Sequence, residues 1–238
     1  MADKIVILTG AGLSAESGLG TFRDAGGLWS QHRIEDVATP EGFARDPALV
    51  HAFYNARRKQ AAKAVPNAAH AALARLQRDW PGEVVIVTQN VDGLHEKAGA
   101  RALHMHGILA GALCAACDHR WDAPLEMTPA DPCPACAAPA TRPDVVWFGE
   151  MPYQMDAIAD HLGSCAIFAA IGTSGQVYPA AGFVVEAAMA GAETVELNLE
   201  RTDVSRAFTR HHIGPATEVV PAWVDALLTG GARRLSFR

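Results

Sequence analysis

The chain has 238 residues, half of them apolar, few aromatic, and a formal charge of −6. That suffices for one sizeable core, or for one large domain carrying a smaller insertion. The basic residues are scattered, which argues against a nucleic-acid partner and its need for a clustered basic surface. No apolar run approaches the roughly 18 residues that span a membrane.

The first element is a buried strand at Ile5–Leu8. It follows the N-terminus too closely for a signal segment with a cleavage site, so the expected location is cytoplasmic. A glycine-rich turn comes next, Gly10-Ala11-Gly12-Leu13-Ser14-Ala15-Glu16-Ser17-Gly18. Strand, Gly-x-Gly and helix start form the order that dinucleotide phosphates require, although glycines needed for packing would read the same way. No acidic residue ends a second strand about 20 residues further on, so a standard dehydrogenase site is not expected.

The stretch from about Trp29 to Trp80 reads as helical. Asp46-Pro47 supplies an N-cap and first turn, opening a pattern through Leu49, Val50, Phe53, Tyr54 and Ala61. Pro66 and Asn67 interrupt it, and a second helix carries Ala71, Leu73, Ala74 and Leu76. A buried strand at Val84–Val87 follows, with the polar residues Gln89, Asn90 and Asp92 directly after it. Such residues line the ligand crevice of an α/β sheet; the competing reading is a plain Asn-Val-Asp-Gly turn. His104 and His106 are two apart, so on a strand they would face the same side, and spacing alone allows either as a base.

From about Leu109 to Pro143 the chain is rich in Cys, Pro, Ala and Asp and has little periodicity. A segment without a core of its own needs a staple. Cys114-Ala-Ala-Cys117 and Cys133-Pro-Ala-Cys136 supply one: two thiolate knuckles complete a tetrahedron around one structural zinc ion, with no position left open for water. The fifth cysteine, Cys165, lies alone in an apolar run and reads as a small core residue. Val145–Phe148, Ala166–Ile171 and Thr194–Leu197 read as further buried strands. Short strands alternating with helices predict an α/β fold with a parallel sheet.

In order along the chain stand Gly10-Ala-Gly-x-Ser-x-x-Ser-Gly-x-x-Thr-Phe-Arg23, Thr88-Gln89-Asn90-Val91-Asp92-Gly93-Leu94-His95 and His104-Met105-His106-Gly107. The cysteine pairs, Val145-Val146-Trp147-Phe148-Gly149-Glu150, Gly172-Thr173-Ser174 and Asn198-Leu199-Glu200 follow. This series resembles the sirtuins, the NAD-dependent protein lysine deacylases, over nearly the whole chain. The resemblance implies a Rossmann-like NAD-binding domain of residues 1–30, 81–108 and 144–238. It also implies a smaller inserted domain made of a helical module, 31–80, and a zinc module, 109–143.

The resemblance further implies that NAD, consumed as a co-substrate, meets Gly10, Ala11, Gly12, Ser14, Ala15, Glu16, Thr21, Phe22, Arg23 and Trp29. Gln89, Asn90, Asp92, Gly172, Thr173, Ser174, Asn198, Leu199, Glu200 and Ala216 complete that set. Phe22 and Arg23 would belong to a loop that closes over NAD. Asn90 and Asp92 would hold the carboxamide and the reactive ribose, and His106 would be the catalytic base. Val146, Phe148, Gly149 and Glu150 would meet the acyl-lysine substrate, with the peptide backbone held by strand addition around Gly149-Glu150 and Gly175-Gln176-Val177. In the implied reaction the amide oxygen attacks the ribose C1′, nicotinamide leaves, and free lysine and O-acyl-ADP-ribose result.

Tyr54-Asn-Ala-Arg57 shares one helical face. By itself it reads as a packed tyrosine beside a solvated arginine. Within the family it resembles the acyl pocket of members that prefer succinyl, malonyl or glutaryl lysine, where an arginine fork meets a carboxylate. Arg58 is the neighbouring candidate. Deacetylation is expected beside desuccinylation. Two other readings remain: an NAD-consuming protein ADP-ribosyltransferase, and a non-catalytic NAD sensor or zinc-stabilised interaction module.

Overall fold

A computed structural model describes residues 3–20 and 32–235, with side chains to residue 230. Thr21, Phe22, Arg23 and Trp29 lie outside the described residues. The main sheet contains β1 (Ile5–Thr9), β2 (Val84–Thr88) and β3 (Ala102–His104). The strands β4 (Gly107–Cys114), β5 (Arg120–Asp122) and β6 (Thr141–Val145) form a separate small antiparallel sheet in the order β5-β4-β6. The main sheet resumes with β7 (Ile167–Ile171), β8 (Glu193–Asn198) and β9 (Arg210–Ile213), giving the parallel order β3-β2-β1-β7-β8-β9.

β1 and β2 are buried along their whole length, which is why their sequences IVILT and VVIVT are continuously apolar. Order reverses at β1, whose neighbours are β2 and β7. The C-terminal ends of these three strands therefore face the crevice where open α/β sheets take ligands.

The helices are α1 (Ala11–Ala15), α2 (Ile34–Val37), α3 (Pro40–Arg45), α4 (Pro47–Lys63), α5 (Ala68–Asp79), α6 (Leu94–Lys97), α7 (Met155–Leu162), α8 (Phe183–Met189) and α9 (Ala216–Leu235). Asp46 caps α4 as expected, its Oδ1 accepting the Leu49 N–H at 2.9 Å. Asn67 caps α5 by accepting from the Ala69 and His70 amides. None of the described helices is long and apolar enough to cross a membrane.

One layer over the main sheet joins Leu13, Leu73, Leu76, Val220 and Val224 to Ile5, Ile7 and Ile86. The opposite layer joins Ile158, Leu162, Phe183 and Val184 to Val6, Leu8 and Phe168, with Cys165 as a small buried member. A third cluster unites Val37, Val50, Phe53 and Tyr54 with Leu109, Val145 and Trp147, binding α2 and α4 to the small sheet.

Two expectations need correction. The strand expected at Val145–Phe148 runs instead over Thr141–Val145, and it pairs antiparallel with β4 in the small sheet. Apolar composition carries no strand direction, so a zinc-module strand read as one of the parallel set. The segment 31–80 is also not one helical module. α5 packs on the main sheet beside α9 through Leu73 and Leu76, whereas α2 and α4 face the small sheet. β3 and β9 were not expected; each has four residues or fewer.

Candidate active site

Gly10 and Gly12 bring β1's end against the turn after β7. A Cβ on Gly10 would lie 2.7 Å from the Gly172 carbonyl oxygen, and one on Gly12 would lie 2.8 Å from Gly172 Cα. The Gly12 N–H donates to the Gly172 carbonyl at 2.8 Å. The second glycine is therefore required for backbone packing, and its N–H is not left for a phosphate. The helix start expected after this turn is α1, which is short, Ala11–Ala15.

Around this turn the expected residues converge. Asp92 Oδ2 accepts the Ser14 hydroxyl proton at 3.0 Å, and Oδ1 accepts the Leu94 N–H at 3.0 Å. Asn90 Nδ2 donates to the Gly10 carbonyl at 3.0 Å and to Ser14 Oγ at 3.2 Å. Gln89 Nε2 donates to Thr173 Oγ1 at 3.0 Å, and Asn198 Nδ2 donates to the Thr173 carbonyl at 2.8 Å. The ends of β1, β2, β7 and β8 are thus tied by polar side chains, with Ser14, Asn90 and Asp92 all buried. Ala11 and Ser174 are half-buried at this crevice end, and Ala15, Leu199 and Glu200 are exposed.

Glu16 is engaged at the start of α9. Its carboxylate accepts the Thr217 N–H at 3.0 Å and the Thr217 hydroxyl at 2.9 Å. It caps the start of α9, where Ala216 is the first residue.

The two histidines separate by chemistry. His104 Nδ1 faces the Asn90 carbonyl and Nε2 faces Glu96 Oε1, each at 3.1 Å. Both partners can only accept, which favours a proton on each nitrogen. Burial alone would lower the His104 pKa, but the Glu96 carboxylate and the Asn90 carbonyl together raise it. His106 Nδ1 faces the Gln89 carbonyl at 3.1 Å, which leaves Nε2 as a lone pair. Burial lowers the His106 pKa, opposed by that carbonyl. Of the pair, His106 can accept a proton near neutral pH.

β6 continues into residues that reach both halves. The Val146 N–H donates to the His106 carbonyl at 2.9 Å, and the Phe148 N–H donates to the Ala38 carbonyl at 2.9 Å. Phe148 and Gly149 are exposed, whereas the Glu150 carboxylate is engaged inward. It accepts from Arg142 at 2.6 and 2.9 Å and from the Trp147 N–H at 2.8 Å.

On α4, Tyr54 is buried and its hydroxyl accepts the Trp147 Nε1–H at 3.0 Å. The Arg57 guanidinium lies 5.7 Å from the Tyr54 ring centre. Burial pushes the Arg57 pKa down, opposed by attraction to Tyr54 and Asp92 and by a hydrogen bond with Tyr54. The Asp92 field thus reaches Arg57. Arg58 points elsewhere: its Nε donates to the Leu109 carbonyl at 2.8 Å and its Nη1 to Asn55 Oδ1 at 2.7 Å. Geometry therefore assigns Arg58 to the junction of α4 with β4, and leaves Arg57 beside Tyr54.

The four cysteines gather at one end of the small sheet. Their sulfurs all lie within 4.8 Å of one another, with Cys114 to Cys136 at 3.7 Å and Cys117 to Cys133 at 3.8 Å. Four sulfurs about 2.3 Å from a central zinc stand roughly 3.8 Å apart. The cluster fits a tetrahedral zinc ion, and all four positions would be filled by protein.

The Sir2 family profile matches residues 10–179, the span that holds the glycine turn, Asn90, Asp92, His106 and all four zinc-type cysteines. The chain belongs to the Sir2 family. Within it, this Sir2 protein is 55% identical over 231 residues to the NAD-dependent protein deacylase of Escherichia coli K12, covering 95% of this chain and 83% of the relative. It is 55% identical over 230 residues to the NAD-dependent protein deacylase of Caulobacter vibrioides, covering 94% and 97%. A crystal structure of a Sir2 homologue in complex with NAD superposes with a TM-score of 0.89 at 35% identity, covering 96% of this chain and 91% of that one.

Proposed function

We propose that this Sir2 protein is an NAD-dependent protein lysine deacylase that favours acyl groups ending in a carboxylate, succinyl and malonyl, and also removes acetyl. The observation that carries the deacylase reading is the assembly of Ser14, Asn90 and Asp92 at the strand ends, with His106 anchored to Gln89. The likeness to relatives named NAD-dependent protein deacylases supports the same reading.

NAD supplies the electrophilic ribose carbon. Asn90 and Asp92, fixed through Ser14, hold the carboxamide and ribose end in the crevice. The amide oxygen of the acyl-lysine takes C1′ as nicotinamide leaves. His106 then removes a ribose hydroxyl proton through Nε2, the nitrogen not occupied by Gln89. The hydroxyl closes on the acyl carbon, and water completes release of lysine and O-acyl-ADP-ribose. The exposed Phe148-Gly149 edge offers the peptide a backbone to pair with.

The acyl preference rests on Tyr54 and Arg57. A guanidinium in a half-buried site matches a carboxylate with paired N–H donors. We place the reaction in the cytoplasm, where NAD is available and thiols remain reduced for a zinc site.

The test is a mass-spectrometric time course with zinc-loaded protein, NAD and matched acetyl- and succinyl-lysine peptides, following nicotinamide and O-acyl-ADP-ribose. Faster desuccinylation is the expected result. Deacetylation alone would remove the carboxylate preference, and ADP-ribose appearing on protein without deacylation would replace the deacylase reading with a transferase.

A further inference from the structure

Tyr54 has the donor count of a group prepared for an acceptor that the described residues do not supply. The Trp147 indole N–H can only donate, and it donates into the Tyr54 oxygen at 3.0 Å. The Arg57 guanidinium, 5.7 Å from the Tyr54 ring centre, also can only donate. With its oxygen accepting from the indole, the phenol proton points away from Trp147. Among the described residues no acceptor takes that proton. The ring is buried, and burial raises its pKa, so the hydroxyl stays protonated at working pH.

The orientation is held from behind by a chain of contacts. Trp147 is buried, and the Arg142 guanidinium carbon lies 3.6 Å over the centre of its ring. Arg142 is gripped by both Glu150 carboxylate oxygens and donates to the Val145 carbonyl at 2.9 Å. Glu150 Oε2 also accepts the backbone N–H of Trp147, so one carboxylate fixes the indole's backbone and the cation stacked on it. The Phe43 ring packs at 5.1 Å on the same indole. The turn after β6 thereby determines where a tyrosine on α4 aims its proton.

We propose that Trp147 is a positioning residue for acyl recognition: held by Arg142 and Glu150, it turns the Tyr54 hydroxyl into a fixed donor aimed at the carboxylate end of the acyl group. This rests on the carboxylate-pocket reading above. The carboxylate accepts one proton-sharing bond from Tyr54 and two from the Arg57 fork, and no covalent step is involved. A plain acetyl group does not reach that donor, so the relay contributes to the choice among acyl groups and not to the chemistry on NAD.

The decisive experiment is a double-mutant cycle of Trp147→Phe and Tyr54→Phe, with KM and kcat measured on acetyl- and succinyl-lysine forms of one peptide. Trp147→Phe keeps an aromatic ring under Arg142 and deletes the N–H donor. The succinyl KM should rise about tenfold, the scale of one hydrogen bond to a charged group, with a much smaller rise in the acetyl KM. In the Tyr54→Phe background, Trp147→Phe should add less than a twofold further change, because its effect passes through the hydroxyl. Equal KM rises on both peptides, or full additivity in the cycle, would reduce Trp147 to general packing and overturn the relay. If Tyr54→Phe raises the succinyl KM and Trp147→Phe does not, the relay alone falls. If Tyr54→Phe leaves the succinyl KM unchanged, the carboxylate pocket falls, and the relay with it.

Discussion

His106 holds its Nδ1 3.1 Å from the carbonyl oxygen of Gln89, and this contact decides which of its nitrogens can take a proton. The carbonyl fixes the tautomer with hydrogen on Nδ1, so Nε2 is the basic atom. His104, two residues earlier, has an acceptor at each nitrogen, the Asn90 carbonyl and Glu96, and these favour its imidazolium form. Sequence spacing leaves the two equivalent; their partners do not.

Replacing His106 with Ala or Tyr should lower deacylation by at least 10²-fold, the low end for a lost general base, while the melting temperature changes little. Because burial lowers the His106 pKa, the acid limb of kcat/KM should lie below the ordinary histidine value of about 6.5. Activity persists while Nε2 is unprotonated and falls as pH drops through that lowered value. A pH–rate profile checks both statements. An acid limb above the ordinary value, or near-normal turnover in His106→Ala, would remove His106 from the role of base.

Arg57→Met keeps an unbranched apolar stem and removes the guanidinium. Desuccinylation should fall by about 10- to 100-fold in kcat/KM, as expected for a bidentate charged contact worth about 1.5–3 kcal/mol. Deacetylation should fall far less. Parallel assays on one peptide sequence give the ratio directly, and equal losses on the two substrates would count against a carboxylate at this position.

What could be read from the sequence was local. The spacing of Cys114, Cys117, Cys133 and Cys136 states the zinc geometry before any fold is known, because each knuckle is built within four residues. Asp46-Pro47 announces the start of α4 for the same reason. Pairings across long separations were not legible. Trp147 and Tyr54 are 93 positions apart, and nothing near either residue signals the bond between them. Glu16 reads as part of a phosphate loop, yet it caps α9 at Thr217, 201 positions away. The α5 pattern shows an apolar face but not which sheet that face meets. Val145–Phe148 has strand composition, but strand direction depends on the partner β4, which precedes it in the zinc module.

Removing zinc should loosen the reaction site as well as the cysteine cluster. β4 begins at Gly107, immediately after His106, and ends at Cys114, so one strand joins His106 to the first zinc-type ligand. Gly107 also packs without clearance against β6: a Cβ there would lie 2.2 Å from the Asp144 carbonyl oxygen. Metal analysis should find one zinc per chain. Treatment with a strong chelator, or Cys133→Ser, should lower the melting temperature and remove deacylation, and zinc added back to the chelated protein should restore both. Full activity at an unchanged melting temperature after verified metal loss would show that the small sheet holds its shape without the ion.

His95 makes a separate prediction about acid stability. The Thr9 hydroxyl donates to Thr88 Oγ1 at 2.8 Å, so its oxygen is left to accept from His95 Nε2 at 3.0 Å. That bond places the His95 proton on Nε2 and leaves Nδ1 as a bare, buried atom with no partner among the described residues. Protonating Nδ1 would create a buried cation facing the His70 ring 5.3 Å away. Burial, followed by the charge of His70 and, least, that of His104, lowers the His95 pKa to about 3, with Glu96 pulling the other way. The unfolded chain takes up this proton near pH 6.5 and the folded one does not. The stabilising contribution is therefore complete above about 6.5, declines as pH falls, and is exhausted near 3. At pH 5 the loss is about 2 kcal/mol, or roughly 4–8 °C of melting temperature for a chain of this size. Calorimetry at pH 7 and pH 5 on the wild type and on His95→Gln isolates this contribution, because glutamine retains an N–H donor and does not titrate. The wild type should lose more stability than the variant between the two pH values. Equal losses would mean that His95 accepts its proton in the folded state and that other groups govern the acid limb.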